Sequence, residues 1–214
     1  MARLILVRHG QTRSNVHGLL DTAAPGADLT ALGREQAHGV IDVLAGERIE
    51  RVVASPLART VQTAAPIAEA RGLDLGTHSG LREILAGELE LAAHRDAHRT
   101  YLRTVFAWAN GDLSATMPGR PETGSTFFER YDAAVEAALD GVETALCVSH
   151  GAAIRTWAAS RGVNVDGEFG AEHGLPNTGV VILERDGSGS WRVDAWTDTR
   201  FPAPDGDPTG GAVP

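Results

Sequence analysis

The chain has a single cysteine and no long apolar run, and both absences limit what it can be. Because Cys147 has no second cysteine to pair with, an intramolecular disulfide is excluded, and its position inside the apolar run 145–148 predicts a buried thiol. No stretch approaches the roughly 18 apolar residues of a membrane span. The first apolar run, residues 4–7, is also shorter than a signal-peptide core of about 7–15 residues. We therefore expect a cytoplasmic protein that does not bind a membrane.

Basic side chains are scarce as well. The sequence has 19 basic and 28 acidic side chains, which gives a formal net charge of -9 and a pI near 5.3. A nucleic-acid surface normally shows a basic balance, so nucleic acid is not an expected partner. Net charge governs solubility and steering, and arginines that converge locally can still bind a phosphate.

Length and composition predict one domain. A chain of 214 residues with 43% hydrophobic side chains is large enough to bury a sizeable core, and we place this domain at residues 1–200. The remaining segment, 201–214, is dense in proline, glycine and aspartate, which predicts a flexible tail.

Short apolar runs alternate with helical patterns along the chain. Strands are predicted at 4–7, 51–54, 73–78 and 145–149, and helices at 31–45, 56–72, 88–110, 127–139 and 151–160. Pro66 predicts a kink or an early break in the second helix. Two more runs, 180–184 and 191–195, predict a hairpin. This alternation predicts an α/β fold, a three-layer α/β/α sandwich with a mostly parallel sheet and an antiparallel edge.

Two of the predicted strands end in the same dipeptide. The first runs into Arg8-His9-Gly10 and the fourth into Ser149-His150-Gly151. Ligands of open α/β sheets bind at the carboxyl ends of the strands, so we expect the two histidines at one ligand site. Gly10 allows a sharp turn, and Arg8 presents a planar fork that suits phosphate oxygens. Gly151 opens a helix whose N-terminal amides favour an anion.

Three further polar positions lie near predicted strand ends. Arg59 is on the first turn of a helix after the second strand, Glu83 follows the third strand, and Asn15 comes one turn after the first. Arginine donates to phosphate oxygens, whereas a carboxyl group can transfer a proton. These residues predict a site for a phosphorylated ligand.

In this order, the segments resemble the histidine phosphatase superfamily, the phosphoglycerate mutase-like branch 1. Supporting matches are Leu29 to Ala37, Gln62-Thr63-Ala64, and Pro121-Glu122-Thr123 with Arg130 seven residues later. The resemblance spans roughly residues 3–185. It implies the phosphoglycerate mutase-like fold.

The resemblance also implies a role for each site residue. His9 matches the nucleophile that becomes a phosphohistidine, and Glu83 matches the acid that protonates the leaving alcohol and then activates water. The phosphoryl group would be bound by the remaining positions, namely Arg8, Asn15, Arg59, His150 and Gly151. The residues after Glu83 lack the family's usual aromatic residue and second glycine, so Glu88 and Glu90 compete for the acid role.

The implied activity is hydrolysis of a small-molecule phosphomonoester without a metal or other cofactor. A neutral imidazole is a competent nucleophile, and arginines can neutralise the phosphate. Two alternatives remain: a phosphoglycerate mutase, and a catalytically silent protein that binds a phosphorylated ligand. Mutases of the superfamily carry a long insertion after the acid, and the mostly helical segment between Glu83 and Ser149 favours hydrolysis. Either a monomer or a homodimer is compatible with the sequence.

The predicted helix 88–110 offers one more pattern. His94 and His98 are four residues apart, as in some metal sites, and Arg95, Arg99 and Arg103 form a basic row that would suit a second anionic group of a substrate. A solvated helix face is the simpler interpretation of both, and we predict no metal site.

Overall fold

Seven strands form one mixed sheet at the centre of the protein. The computed structural model describes residues 2–197 and 199–200. The strands are β1 (Ala2–Arg8), β2 (Arg51–Ala54), β3 (Leu75–Thr77), β4 (Thr144–Ser149), β5 (Val180–Arg185), β6 (Trp191–Trp196) and β7 (Thr199–Arg200). Their order across the sheet is β3-β2-β4-β1-β5-β6-β7, with the first four parallel to one another and the last three antiparallel. The predicted parallel sheet with an antiparallel edge is confirmed.

Helices cover both faces of this sheet. They are α1 (Arg13–His17), α2 (Ala31–Val43), α3 (Ala58–Arg71), α4 (Arg95–Ala109), α5 (Gly124–Leu139), α6 (Gly151–Arg161) and α7 (Gly167–Glu172). Residues 4–7 of β1 are completely buried, and their side chains alternate between two hydrophobic cores. Leu4 and Leu6 pack in the core with α4, α5 and α6, whereas Ile5 and Val7 pack in the core with α2 and α3. The three predicted layers are therefore present.

The two strands that end in His-Gly are neighbours. β1 and β4 are parallel, and Arg8 lies opposite Ser149 in their register. The next amide, that of His9, donates a hydrogen bond to the carbonyl of Ser149 at 3.1 Å. Because parallel strands end at the same edge, this register brings His9 and His150 together.

Two predicted helix limits are wrong. The helix predicted to begin near residue 88 begins at Arg95, because the Glu90 carboxylate accepts hydrogen bonds from Thr22 and Ala23 and Leu91 has a left-handed φ of 59°. The helix predicted from residue 127 begins at Gly124, because Thr123 caps it.

The early break that Pro66 suggested is not observed. α3 continues through Pro66 to Arg71. Ala64 and Ile67, on the inner face of α3, are buried in the core, while Pro66 itself is only partly buried. Burial of the apolar face outweighs the backbone hydrogen bond that proline cannot make.

Gly10 is needed for a different reason from the one that the sequence suggested. Its φ is not in the left-handed region; instead, a Cβ atom at this position would lie 2.4 Å from the carbonyl oxygen of Gly33. Gly10 thus allows the start of α2 to approach the chain directly after β1.

Cys147 is buried in β4, as predicted, and burial raises the pKa of its thiol to about 12. Within the described residues, no helix is both long enough and apolar enough to cross a membrane. The predicted tail, 201–214, lies outside the described residues.

Candidate active site

A cavity of about 400 Å³ opens at the carboxyl ends of β1 and β4. Its walls include Arg8, His9, Asn15, Arg59, Glu83 and Gly151, six of the seven residues that the sequence analysis predicted for the site. The seventh, His150, is completely buried, and the centroid of its ring is 5.3 Å from that of His9. The structure therefore brings all seven together.

The ring of His9 has a defined orientation. It is 4% exposed, and its Nδ1 lies 2.8 Å from the carbonyl oxygen of Gly10. A carbonyl only accepts, so Nδ1 carries the proton and Nε2 keeps a free electron pair. Burial, followed by the charges of Arg59 and Arg8, holds the pKa of His9 well below its usual value. His9 is consequently neutral at pH 7, as a nucleophile must be.

Arg8 and Arg59 bring two guanidinium groups to this cavity. Arg8 Nη1 donates to the carbonyl of Leu175 at 2.6 Å, and Arg59 Nη2 donates to the carbonyl of Asp21 at 2.9 Å. The side chain of Arg59 is 2% exposed, and its Nη1 is 3.9 Å from the Asp21 carboxylate. Backbone carbonyls hold one terminal nitrogen of each guanidinium group, and the Asp21 carboxylate faces the other terminal nitrogen of Arg59.

Three buried nitrogen atoms of the site have no hydrogen-bond partner among the described residues. They are Arg8 Nε, Arg59 Nη1 and His150 Nδ1. Buried polar groups are nearly always paired in proteins, so three such nitrogens at one site indicate a place where a ligand can supply acceptor atoms. An oxyanion beside His9 would supply several acceptor atoms at once.

His150 is held in place by a neighbouring hydroxyl. Its Nε2 is 2.9 Å from Ser55 Oγ, and Ser55 Oγ also accepts a long hydrogen bond from the amide of Leu57. The hydroxyl of Ser55 can donate its proton to Nε2, and in that tautomer the imidazole proton lies on Nδ1. Burial and the nearby charge of Arg59 lower the pKa of His150 well below its usual value, so the ring is neutral.

Glu83 lies at the N-terminus of α6. Its Oε1 accepts from the amides of Ile84 and Ala153, both at 2.9 Å, and its Oε2 accepts from Ala152 at 3.2 Å. Burial raises the pKa of the Glu83 carboxyl, although these amides and Arg59 act in the opposite direction. The group that accepts from the amides at the start of α6 is therefore the Glu83 carboxyl. Gly151 serves close packing, since a Cβ there would lie 3.1 Å from Arg8 Nε.

The structure separates the three candidates for the acid. Of these three, only Glu83 lines the cavity. Glu88 is exposed, and the Glu90 carboxylate accepts hydrogen bonds from the backbone amides of residues 22 and 23. Glu83 is thus the candidate placed to exchange a proton with a molecule in this cavity.

Residues outside the cavity fix the loop that carries Glu83. Arg130 donates to the carbonyls of Gly80 and Arg82 at 2.7 and 2.8 Å, and Glu122 accepts from Arg130 Nε and from the amide of Leu85, both at 2.9 Å. The segment 121–123 and Arg130, which match the family in sequence, thus act on the site through this loop.

Sequence reasoning missed Asn177. Its Nδ2 donates to the carbonyl of His9 at 3.1 Å and to Asn15 Oδ1 at 3.0 Å. Asn15 Oδ1 also accepts from the amide of Thr12 at 3.1 Å, so the Asn15 NH₂ group is the part left to face a ligand. The left-handed φ of 57° at Thr178 turns this segment toward β1. In the sequence, Asn177 stands in Pro176-Asn177-Thr178 before β5, and this composition is ordinary for a loop and does not indicate a site residue.

Asp21 and Arg155 were also missed, and both line the cavity. Asp21 accepts from Ser14 Oγ at 2.7 Å and from the amide of Ala27 at 3.0 Å. The basic row on α4 takes no part: Arg95, Arg99 and Arg103 are exposed and do not border the cavity.

The histidine pair on α4 has other contacts. His94 caps α4, with its Nδ1 accepting from the amide of Ala97 at 3.1 Å, and His98 Nε2 lies 2.8 Å from the carbonyl oxygen of Gly18 at the cavity rim. Over residues 2–197 and 199–200, no three His, Cys, Asp or Glu side chains are grouped as metal ligands.

Curated relatives are similar to this chain over most of its length. A PE-PGRS family protein of Mycobacterium tuberculosis, PE_PGRS11, is 34% identical over 206 residues, which is 89% of this chain and 35% of that protein. The adenosylcobalamin/alpha-ribazole phosphatase of Escherichia coli is 34% identical over 61% of this chain and 63% of its own. A probable phosphoglycerate mutase GpmB of Proteus mirabilis is 35% identical over 72% of both. The chain thus spans less than two thirds of the first two relatives.

A solved structure and a family match agree with these relatives. The mycobacterial glucosyl-3-phosphoglycerate phosphatase in complex with VO₃ superposes with a TM-score of 0.77 at 25% identity, covering 93% of this chain and 100% of that one. Residues 4–199 match the family described as the histidine phosphatase superfamily, branch 1. Since this match covers most of the sequence and the site residues converge in one cavity, the chain belongs to branch 1 of the histidine phosphatase superfamily.

Proposed function

We propose that the protein is a phosphomonoesterase that works through a phosphohistidine on His9 and needs no metal. The observation that carries this proposal is the group of unpaired buried donors, Arg8 Nε, Arg59 Nη1 and His150 Nδ1, around a histidine whose Nε2 is free. They suit the oxygens of a phosphoryl group, whose charge must be stabilised during transfer.

In the first step, Nε2 of His9 attacks phosphorus and the bond from phosphorus to the leaving oxygen breaks. The Glu83 carboxyl donates its proton to that oxygen, so the product leaves as a neutral alcohol. The raised pKa of Glu83 favours the protonated form that this step requires. Arg8 and Arg59 neutralise the negative charge that the three phosphoryl oxygens share. The Gly10 carbonyl stabilises the positive charge that forms on the His9 ring.

In the second step, water attacks the phosphorus of the phosphohistidine. The Glu83 carboxylate left by the first step accepts a proton from this water, and the bond from phosphorus to Nε2 breaks. Neutral His9, protonated Glu83 and inorganic phosphate result, so the cycle closes without a further reactant.

The names of the relatives support a phosphatase and also supply the second candidate. Two are named as phosphatases, of alpha-ribazole and of glucosyl-3-phosphoglycerate, and one as a probable phosphoglycerate mutase. In a mutase, the intermediate must be held while water is excluded. Here the cavity rim includes the exposed Gly18, and the segment from α4 to α5 packs in the hydrophobic core as part of one helical layer. Both features favour access of water to the cavity, and therefore the phosphatase.

We expect release of inorganic phosphate from several phosphomonoesters, and little interconversion of 2- and 3-phosphoglycerate. Phosphate can be measured by a colorimetric assay and the phosphoglycerates by coupled enzymes. Efficient interconversion that depends on a bisphosphate primer would show that the protein is a mutase and not a phosphatase. The absence of both reactions, with phosphate still bound, would identify a silent binding protein.

Metal chelation should leave the activity essentially unchanged, because two guanidinium groups neutralise the phosphate. The measurement is hydrolysis of an aryl phosphate before and after incubation with excess EDTA. If most of the activity disappeared and a divalent ion restored it, a mechanism based on arginines alone would be wrong.

A further inference from the structure

A short segment before β5 packs against the chain that carries the proposed nucleophile. β5 pairs antiparallel with β1, so the residues that precede β5 pass beside those that follow β1. The amide of Arg8 donates to the carbonyl of Gly179 at 3.0 Å. The amide of Thr178 donates to the carbonyls of Arg8 and His9 at 3.1 and 3.3 Å. These backbone hydrogen bonds hold the segment 175–179 next to His9.

Asn177 lies in this segment, and both N–H groups of its side-chain amide are used within the protein. Its Nδ2 carries two hydrogens and has two acceptors, the carbonyl oxygen of His9 at 3.1 Å and Oδ1 of Asn15 at 3.0 Å. Asn177 and Asn15 both line the cavity. The bond to the His9 carbonyl fixes the Asn177 amide, and the bond to Asn15 then fixes a residue that the sequence analysis assigned to phosphate binding.

The orientation of the Asn15 amide follows from the donors around it. Its Oδ1 accepts from Asn177 Nδ2 and also from the amide of Thr12 at 3.1 Å. An asparagine amide that flips exchanges its oxygen and nitrogen, so the Asn15 NH₂ group would then face two donors and both hydrogen bonds would be lost. The two donors therefore hold Asn15 with its NH₂ group turned away from them. In the part of the chain that the structure describes, this NH₂ group has no hydrogen-bond partner, so it is available to a ligand.

We propose that Asn177 is a positioning residue for the phosphoryl group, because it holds the Asn15 NH₂ group in the orientation that donates to a phosphoryl oxygen. This inference rests on the proposed function, which places a phosphoryl group in the cavity that Asn15 lines. Thr12 alone would hold Asn15 by one hydrogen bond, and Asn177 supplies the second from a separate segment that the backbone fixes to the end of β1. A donor that is already oriented loses little conformational entropy on binding, so its hydrogen bond to an anion contributes more to affinity.

The test is a double-mutant cycle on the binding of inorganic phosphate, measured by calorimetry. Asn15→Ala and Asn177→Ala should each raise the Kd for phosphate by about tenfold, the effect of one hydrogen bond to a charged group. Because Asn177 acts through Asn15, Asn177→Ala should raise this Kd by less than about threefold in the Asn15→Ala background. Losses that are the same with and without the Asn15 side chain would overturn the proposal. An Asn177→Ala variant that binds phosphate as the wild type does would overturn it as well.

Asn164 provides a matched control outside the cavity. Its Nδ2 donates to the carbonyl of Val193 and its Oδ1 accepts from the amide of the same residue, both at 2.9 Å. Asn164→Ala also removes two hydrogen bonds, so it should lower thermal stability, but the Kd for phosphate should stay as in the wild type. Asn177→Leu keeps the approximate volume of the side chain without its donors and should reproduce the loss of affinity, which also serves if thermal unfolding shows that Asn177→Ala does not fold. Equal losses of phosphate binding in the Asn164 and Asn177 variants would identify a general effect on the fold and contradict the positioning role.

A spectroscopic measurement addresses the Asn15 amide directly. In NMR spectra of the wild type, the side-chain NH₂ resonances of Asn15 should shift as inorganic phosphate is added, whereas those of Asn164 should not. Asn15 resonances that stay unchanged while phosphate binds would show that this amide does not face the ligand, and the proposal would be wrong.

The same data separate failure of the positioning role from failure of the proposed function. If the wild type hydrolyses nothing but binds phosphate with the expected coupling between Asn15 and Asn177, the positioning role stands and the phosphatase does not. If phosphomonoesters are hydrolysed and the two substitutions act independently on phosphate binding, the phosphatase stands and the positioning role does not. A wild type that binds no phosphate would overturn both.

Discussion

His9→Ala is expected to lower kcat by at least about 10⁴-fold and to abolish the labelled phosphoenzyme, because Nε2 of His9 is the atom that accepts the phosphoryl group. The turnover is measured as phosphate release from an aryl phosphate. The intermediate is measured by rapid quenching with a phosphate-labelled substrate. A label on the wild type that is labile in acid and stable in base identifies a phosphohistidine.

Two other histidines provide the comparison. His17→Ala removes an exposed ring on α1 and should behave as the wild type. His150→Ala removes only the stabilisation of charge by a buried donor, so both steps should slow while some labelling remains. Label of undiminished amount in His9→Ala would refute the assignment of the nucleophile.

Glu83→Gln should separate substrates by their leaving groups. The amide keeps the shape of the side chain but cannot donate the proton that an alkoxide needs. We expect kcat/KM to fall by about 10²- to 10⁴-fold for alkyl phosphates, and by less than about tenfold for nitrophenyl phosphate, whose leaving group departs without protonation. For alkyl substrates, single-turnover phosphorylation of the wild type should slow as pH rises through the raised pKa of Glu83, because the protonated form is then lost.

The comparison for this prediction comes from two other acidic residues. Glu88→Gln changes an exposed carboxylate outside the cavity and should leave both substrate classes as in the wild type. Asp21→Asn changes the other carboxylate of the cavity wall, next to Arg59, and should affect both classes alike. Equal losses on both substrate types in Glu83→Gln, with a selective loss in Asp21→Asn, would transfer the role of the acid to Asp21.

The central part of the fold follows directly from local sequence. Residues 4–7 and 145–148 are continuous apolar runs, and runs of this length and composition are typical of strands that are buried on both faces. The start of α4 could not be predicted in the same way. His94 caps the helix, and the segment before it is held out of the helix by a contact between Glu90 and the 22–23 backbone, which is far away in the sequence.

The residues of the candidate site also differ in whether local sequence predicts them. Arg8, His9 and His150 were predictable because each is next to a strand end, where the fold class itself places ligands. Arg155 and Asn177 were not, because an arginine inside a helix and an asparagine in a loop are ordinary in sequence. Their places in the cavity depend on how α7 and the turn before β5 pack against the rest of the molecule.

The unpaired donors around His9 also have a thermodynamic consequence. Leaving a buried donor unpaired costs about 1–3 kcal/mol, so a ligand that accepts from these donors gains a comparable stabilisation of the folded chain for each one. An oxyanion that pairs these donors binds the folded chain and not the unfolded one, and mass action then shifts the folding equilibrium toward the native state. Inorganic phosphate, the product of the proposed reaction, has the same oxygens. We therefore expect it to act both as a stabiliser of this fold and as an inhibitor that competes with the substrate.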